Sequence, residues 1–337
     1  MPLISLSRGV ADVSPLPFHG VVQVPAILAD LGIAWVVGLW LGRLGRPPAE
    51  RLFAVAMVAL GPSFILISGY HGQIDPLATF PPLVGAYVWS AGGDRRALKA
   101  GALVGLGACV KVVPLFMLLA LLPTARSRRE IVTLVAVAGA IPLASVVPFL
   151  VANLDGTWHA LHSNHGVPGF GSYGLLAQPD LLDRFLYGEP VQLTGLSTWL
   201  YDSQNAIVGA AALLTGAFAY VRRLEPIDAA ALIWLAVFVA NPEWGYEYLI
   251  WGLPYFILAR RYVEVLVLQL VLIVPEVVLY RTFATHKLGM FYFPTLTVVW
   301  AAMALILALW LRRLSRGAGL GPDQWRWAAL RWPRFAE

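Results

Sequence analysis

Long apolar runs, separated by short polar or basic segments, dominate the chain. A run of about 17–25 mostly apolar residues can cross the hydrocarbon core of a bilayer as a helix. We predict membrane spans, the shortest being the seventh, at 22–42, 52–70, 76–92, 131–151, 203–221, 228–242, 247–259, 262–280 and 290–311. The pattern therefore predicts an all-α fold, a polytopic transmembrane helix bundle.

The apolar region 98–122 does not fit a single span, because basic clusters flank it on both sides. Lys111 interrupts it, and Pro114 lacks a backbone N–H and disfavours helix in the residue before it. We expect a re-entrant hairpin or two short spans here, with Lys111 near the apex on the outer side. With this segment included, the bundle would contain about 9–11 spans.

The basic residues indicate how the bundle is oriented, because cytoplasmic loops are enriched in Lys and Arg. Sixteen of the 24 Lys and Arg residues fall in alternate loops, as the clusters Arg43/Arg46/Arg51, Arg95/Arg96/Lys99, Arg126/Arg128/Arg129, Arg222/Arg223, Arg260/Arg261 and Arg312/Arg313/Arg316. This bias predicts an outer N-terminus and a cytoplasmic C-terminus. All six histidines and the long loop at about 152–202 then lie on the outer, periplasmic side, which we expect to be the active face.

Composition narrows the possible classes of protein. Hydrophobic residues make up 59% and charged residues 13% of the 337 residues, against roughly 45–50% and 25% in soluble domains. A soluble globule could not bury so much apolar surface, and the single cysteine, Cys109, excludes a disulfide scaffold. The net charge of +5 forms no continuous basic stripe, so we expect no nucleic-acid partner.

The chain is predicted to form one membrane domain. Residues 1–316 form this domain, beginning with the outer segment 1–21, and the Trp- and Arg-rich residues 317–337 form a cytoplasmic tail at the lipid interface. Basic and aromatic residues in that pattern favour anionic lipid surfaces. We therefore expect a multi-pass protein of the cell membrane whose partners include membrane lipids.

Two outer segments contain residues suited to chemistry. His71, Gln73 and Asp75 lie within one short turn and could supply a proton acceptor, a hydroxyl-binding amide and a charge, although a polar turn would also contain such residues. Lys111 in an apolar segment is costly, which indicates a functional or paired residue. Its expected partner is an anionic lipid phosphate, with Asp75 as the structural alternative.

A third segment combines carboxylates with aromatic rings. Glu243 and Glu247 lie among four aromatic residues in the stretch 243–251. Rings and carboxylates are typical of sugar sites, whereas the alternative is the aromatic belt of membrane proteins. The belt accounts for the tryptophans better than for the two glutamates.

A metal site is the weaker interpretation of the histidines at 159, 162 and 165. Their spacing suggests zinc, but helical positions three apart spread over about 120° and the following Gly and Pro residues end a helix. No cysteine or nearby carboxylate completes a tetrahedral set, and no Asp-x-Asp motif occurs. We therefore expect a substrate-facing loop, with no metal ion and no other cofactor.

The order of these motifs resembles the GT-C superfamily of integral-membrane glycosyltransferases. The resemblance is strongest to the polyprenol-phosphate-sugar mannosyltransferase-like group, family 87 and the PIG-M-like enzymes, and covers about residues 22–315. The matching stretches are 24–32, His71–Asp75, Val110–Pro114, His165–Leu175 and Asn241–Pro254. Each motif alone is weakly specific, whereas five in order are fairly specific.

The resemblance implies that a hexose, expected to be mannose, passes from a polyprenyl-phosphate-linked donor to a glycan or lipid acceptor of the cell envelope. The sugar is displaced directly, with inversion, while a base accepts the acceptor's proton and cations stabilise the departing phosphate. The resemblance also implies site residues. The catalytic residues are Asp75, His71 and Glu243, and the substrate-binding residues are Gln73, Lys111, His165, Asn241, Tyr246 and Trp251. Lys111 and His71 would face the phosphate.

The beginning of the chain departs from the family pattern. Similar enzymes start with one more span and a long first outer loop bearing the acidic base, whereas Asp12 is the only acid before the first span here. We expect one of three explanations. The first span and most of that loop are missing, Asp12 serves as the base, or the chain is a divergent or inactive relative. Asp75 is the best base within the given chain.

Two other functions compete with a transferase. A transporter or lipid flippase would use polar residues in the membrane as a path, but transporters show paired halves with matching helix interruptions. The interruption at Lys111–Pro114 has no evident twin in the sequence. A non-catalytic membrane scaffold is the third hypothesis.

Overall fold

The computed structural model describes residues 17–162, 171–183, 192–282, 289–317 and 320. Within these ranges every regular element is a helix, so the predicted all-α bundle is confirmed. In chain order the helices are α1 Phe18–Arg43, α2 Pro48–Ala59, α3 Pro62–Phe64, α4 Asp75–Ala91, α5 Arg96–Ala108, α6 Phe116–Leu121, α7 Arg128–Ala152, α8 Leu154–His162, α9 Ser172–Ala177, α10 Gly195–Arg222, α11 Pro226–Ala240, α12 Leu249–Leu258, α13 Tyr262–Thr282 and α14 Gly289–Ser315.

Among the described residues, 5 helical segments are long and apolar enough to cross a membrane. They are Gly20–Arg43, Pro48–Tyr70, Arg128–Ala152, Gly195–Arg222 and Pro294–Ser315. The second segment is not a regular α-helix throughout, because Pro62 begins a new helical turn that continues as a π-helix over Ile65–Tyr70. The fourth begins earlier than the predicted 203, which shortens the loop before it.

The predicted span at 247–259 is the one that differs most from a membrane helix. It forms α12, which has 10 residues, all of them buried. At 1.5 Å per residue such a helix is about 15 Å long, half the thickness of the hydrocarbon core. All of its residues are buried by the rest of the protein, so α12 does not have to reach across the hydrocarbon core.

The region 98–122 folds as a hairpin. Helix α5 ends at Ala108, and after a break that contains Lys111 the chain resumes as a 3-10 turn at Val113–Leu115 and then α6. The two arms return to the same end of the bundle, where Arg96 donates a hydrogen bond of 3.0 Å to the Thr124 carbonyl oxygen. The predicted helix break is therefore confirmed.

A close approach between α5 and α4 brings the hairpin apex near the start of α4. A Cβ atom on Gly107 would lie 2.6 Å from the Ala78 carbonyl oxygen and 2.7 Å from Pro82 Cδ. Only glycine allows two helices to approach so closely at this point. Ala78 is about one helical turn from Asp75, so this contact helps Lys111 to reach Asp75.

The basic clusters meet at one end of the bundle. Arg43 Nη2 donates to the Ala91 carbonyl oxygen at 2.9 Å, and Arg222 hydrogen-bonds the Ser315 carbonyl oxygen at the last turn of α14. Helix α4 runs from this end to Asp75 at its other end. The loops that charge counting assigned to one side thus share one end of the structure.

Arg96 holds the base of the hairpin together. Its guanidinium donates to both carboxylate oxygens of Glu130, at 2.9 and 2.8 Å, and lies 4.3 Å from the centroid of the Trp89 ring. The Arg96 side chain is almost wholly buried. This contact joins α4, α5 and the start of α7.

We predict that Arg96→Leu lowers the free energy of unfolding by about 1–2 kcal/mol, because the Thr124 carbonyl oxygen and the partly exposed Glu130 would lose the hydrogen bonds that buried Arg96 donates. Unfolding of the detergent-solubilised protein measures this change. Lys99→Leu, at an exposed position of the same helix, is the matched control. Equal stability of the two variants would contradict the prediction.

Candidate functional site

Three residues that are far apart in the sequence meet at the end of the bundle opposite the basic clusters. Asp75, the first residue of α4, is wholly buried. Its Oδ1 atom accepts hydrogen bonds from Lys111 Nζ at 2.7 Å and from Trp251 Nε1 at 2.5 Å. The structure therefore brings together a hairpin apex, a helix start and the first turn of α12.

The Asp75 carboxylate is charged in a place where charge needs compensation. The N-terminus of α4 favours an anion, and the Lys111 ammonium pairs with Oδ1. The other oxygen, Oδ2, is buried and has no hydrogen-bond partner among the described residues. The buried charge of Asp75 therefore depends on Lys111 for compensation. Of the two partners predicted for Lys111, a lipid phosphate and Asp75, the structure shows Asp75.

Lys111 remains able to bind a second anion. Its side chain is 31% exposed, and an ammonium group has three donors, of which Asp75 uses one. The ammonium also lies 5.5 Å from the centroid of the Trp251 ring, a cation–π contact. The site thus presents a fixed cation beside an aromatic face.

Trp251 belongs to an aromatic wall. Its ring stacks on Tyr248 with centroids 4.6 Å apart and an interplanar angle of 17°. The ring centroid of Trp234 lies 5.8 Å from that of Trp251. Tyr248 ends the 3-10 turn that precedes α12. Stacking of this kind holds both rings in place, and Tyr248 is the more exposed of the two.

The short helix α9, from the long loop, fixes the segment that follows α11. Tyr173 Oη donates to the Ala240 carbonyl oxygen at 2.5 Å, and Gly174 N donates to the Pro242 carbonyl oxygen at 3.1 Å. A Cβ atom on Gly174 would lie 2.4 Å from that oxygen and 2.7 Å from Glu243 Oε1. Glycine is therefore required where α9 meets Glu243, a residue only 3% exposed.

Electrostatics link Glu243 to α9. Burial, with a smaller contribution from the negative Glu243, raises the pKa of Tyr173 to about 12. Tyr173 therefore stays protonated and keeps its hydrogen bond at physiological pH. Asn241, predicted to bind substrate, accepts a hydrogen bond from Glu243 N at 3.0 Å through its side-chain oxygen, which shapes this turn.

His71 and Gln73 lie in the turn between the π-helix and α4. Their backbone N–H groups donate to the Leu66 and Ile67 carbonyl oxygens at 2.9 and 3.0 Å. Partial burial lowers the pKa of His71 below its usual 6.5, although the negative Asp75 acts in the opposite direction. His71 is therefore mostly neutral at pH 7, so among the described residues of this cluster Lys111 is the cation.

The structure brings only some of the predicted site residues together. Asp75, Lys111 and Trp251 are in direct contact. His71 interacts electrostatically with Asp75, and Glu243 with Tyr248, which stacks on Trp251. Tyr246 is wholly buried in the turn before α12. His165 lies outside the described residues, as does Asp12. For the residues that the structure does describe, no group of 3 or more His, Cys, Asp or Glu side chains could hold a metal ion.

Glu247 and Tyr248 are not among the site residues predicted from the sequence. Glu247 interacts electrostatically with both Asp75 and Lys111, and Tyr248 stacks on Trp251. The sequence does contain a reason to expect a role for Glu247, because an aromatic belt does not account for the second carboxylate of the 243–251 stretch. The contact of this stretch with Asp75 joins residues 176 positions apart.

The comparison with known families identifies one family. Residues 13–242 match the model of glycosyltransferase family 87, and this range covers more than half of the chain. No curated protein and no solved structure matches the chain. Asp75 and Lys111 lie inside the matched range, and Trp251 lies beyond its end.

We predict an asymmetric cost of breaking the central ion pair. Lys111→Met should reduce stability by about 3 kcal/mol, because it leaves the wholly buried Asp75 without its counter-ion. Asp75→Asn should cost less, since Lys111 retains access to solvent. The double variant Asp75→Asn/Lys111→Met should be more stable than Lys111→Met alone. Thermal unfolding of the four proteins tests this, and strictly additive effects would contradict it.

Proposed function

We propose a specific reaction for this chain, which belongs to glycosyltransferase family 87 and is a multi-pass membrane glycosyltransferase. It moves a hexose, expected to be mannose, from a polyprenyl-phosphate-linked donor to a glycan or lipid acceptor. The reaction takes place at the outer face, in agreement with the charge pattern of the loops. The acceptor oxygen displaces the lipid phosphate directly at the anomeric carbon, with inversion.

The observation that carries this proposal is the partly exposed Lys111 ammonium, held in place by Asp75 and Trp251. When the anomeric C–O bond breaks, the electron pair leaves on the phosphate oxygen of the lipid. A cation already fixed at this point stabilises the developing charge without reorganising in the transition state. Asp75 then acts as the anchor that orients the lysine.

The proposed sugar subsite lies beside the cation. Trp251, stacked on Tyr248, would contact the ring of the donor sugar, and Gln73 with Glu243 would hydrogen-bond its hydroxyl groups. Neutral His71 would accept or donate a hydrogen bond at the mouth of the site. His165 remains a proposed substrate contact from the long loop.

This arrangement favours transfer over transport. A transporter requires a path that opens alternately to both sides. Here the polar cluster lies at one end of α4, and the buried Arg96–Glu130 pair closes the base of the hairpin at the other end. Membership of a glycosyltransferase family supports the same choice.

We predict that the purified protein in liposomes transfers radiolabelled mannose from mannosyl-phosphoryl-polyprenol to lipids extracted from the cell envelope. Lys111→Met should lower kcat by about 10²–10³-fold, the cost of removing one stabiliser of a developing anion. Lys99→Met, an exposed lysine at the opposite end, should retain wild-type activity.

The donor and the metal requirement are tested in the same assay. Transfer from a nucleotide sugar but not from the lipid-linked donor would contradict the proposed donor class. A chelator should leave the rate unchanged, and strict dependence on magnesium or manganese would contradict the proposed mechanism. Equal rates for Lys111→Met and the wild type would remove the central role of the lysine.

A further inference from the structure

We infer that Glu247 is the general base that accepts the proton of the acceptor hydroxyl group. This inference rests on the proposed transfer reaction and assigns to it a catalytic residue beyond the part of the chain that matches the family. The argument depends on where Glu247 lies, on which carboxylates are already occupied and on the charges around it.

Glu247 lies in the turn that leads into the cluster. It is the middle residue of the 3-10 turn Tyr246–Tyr248, which leads directly into α12 and Trp251. Its carboxylate interacts electrostatically with Asp75 and Lys111, the two charges of the central ion pair. A proton acceptor in this position would be next to the cation that we propose binds the donor phosphate.

The three other carboxylates around this cluster are less available. Glu276, which interacts electrostatically with Glu247, is wholly buried and accepts a hydrogen bond from Ser63 Oγ at 3.1 Å. Asp75 is wholly buried, and two donors already occupy its Oδ1 atom. Glu243 is 3% exposed and packs against α9, where it leaves no room for a side chain at Gly174. A general base must offer a lone pair within hydrogen-bond reach of the acceptor. The other Asp75 oxygen, Oδ2, has no hydrogen-bond partner among the described residues but is buried, and Glu243 is the proposed partner of the donor sugar's hydroxyl groups.

Glu247 meets that requirement. It is only half-buried, and among the described residues no other side chain donates a hydrogen bond to its carboxylate. Its neighbours Tyr246 and Trp251 are buried, so the backbone on either side of the carboxylate is fixed. Glu247 is thus held in place and is less enclosed than Asp75 or Glu243.

The charges around Glu247 couple its basicity to the donor. Burial and, to a smaller extent, negative Asp75 oppose the charged form of Glu247, whereas positive Lys111 favours it. A donor phosphate bound at Lys111 would offset the positive charge of the lysine and make Glu247 a stronger proton acceptor. The base would therefore be activated when the donor is in place.

The reaction is balanced with these two groups. The acceptor O–H bond breaks and its proton passes to the Glu247 carboxylate, while the acceptor oxygen bonds to the anomeric carbon. The bond from that carbon to the phosphate oxygen breaks, and its electron pair leaves with the polyprenyl phosphate beside Lys111. Release of the proton from Glu247 to solvent completes the cycle.

The test uses the full chain in liposomes with mannosyl-phosphoryl-polyprenol and a cell-envelope lipid extract. Glu247→Gln should lower kcat by about 10²–10⁴-fold with little change in the donor KM. It should also remove the decrease in kcat that the wild type shows as the pH falls. Added formate should restore part of the activity of Glu247→Ala, which shows that this variant is folded.

Two controls separate the alternatives. Asp94→Asn removes an exposed carboxylate between α4 and α5 and should leave the activity unchanged. Asp75→Asn should raise the donor KM and retain the acidic decrease in kcat. If Asp75→Asn removes that decrease and Glu247→Gln retains it, or if Glu247→Gln keeps wild-type kcat, the assignment of Glu247 is overturned. If the wild type transfers no hexose from any polyprenyl-phosphate donor, the proposed function itself fails, and this inference with it.

Discussion

The arrangement of the site depends on one interaction, the ion pair between the wholly buried Asp75 and Lys111. A buried carboxylate without a counter-ion is strongly destabilising, so the chain must bring a cation to the start of α4. That cation comes from the break in the hairpin between α5 and α6, where Cys109, Val110 and Val112 are exposed. Gly107 allows α5 to approach α4 closely enough for this contact.

The same interaction prepares the site for chemistry. Because Asp75 uses one donor of the ammonium and Trp251 shares the same carboxylate oxygen, the cation is held in a fixed position with part of its surface open. Neutral His71 adds hydrogen-bonding capacity without a second positive charge. A fixed cation beside stacked aromatic rings and the partly exposed Glu247 is suited to transfer of a sugar from a lipid phosphate.

Much of the fold could be predicted from local sequence. Apolar runs predicted the long helices, and Lys111 with Pro114 predicted the break in the hairpin, since a charge and a proline have strong local effects in an apolar segment. Length was a poor guide for α12. A short helix that is covered by other helices has the same composition as a membrane span, and only tertiary packing distinguishes the two.

The site was predictable only in part for a related reason. Asp75 and Lys111 stood out individually, because charged residues near the membrane are costly, and their pairing was one of two alternatives. The contact of Trp251 with Asp75 spans 176 positions, and no local pattern indicates which pairs of helices meet. Glu247 is separated from Glu243 by four positions, yet the two carboxylates differ in accessibility because α9 packs on one of them.

The central claim is that Lys111 binds the phosphate of a lipid-linked donor. A structure of the protein in lipid nanodiscs with a phosphonate analogue of mannosyl-phosphoryl-polyprenol tests it most directly. We predict that the phosphonate lies within hydrogen-bond distance of Lys111 Nζ, with the sugar against Trp251 and a sugar hydroxyl facing Glu247. A phosphonate bound among the arginines at the opposite end of the bundle, with Lys111 contacting only Asp75, would contradict the account.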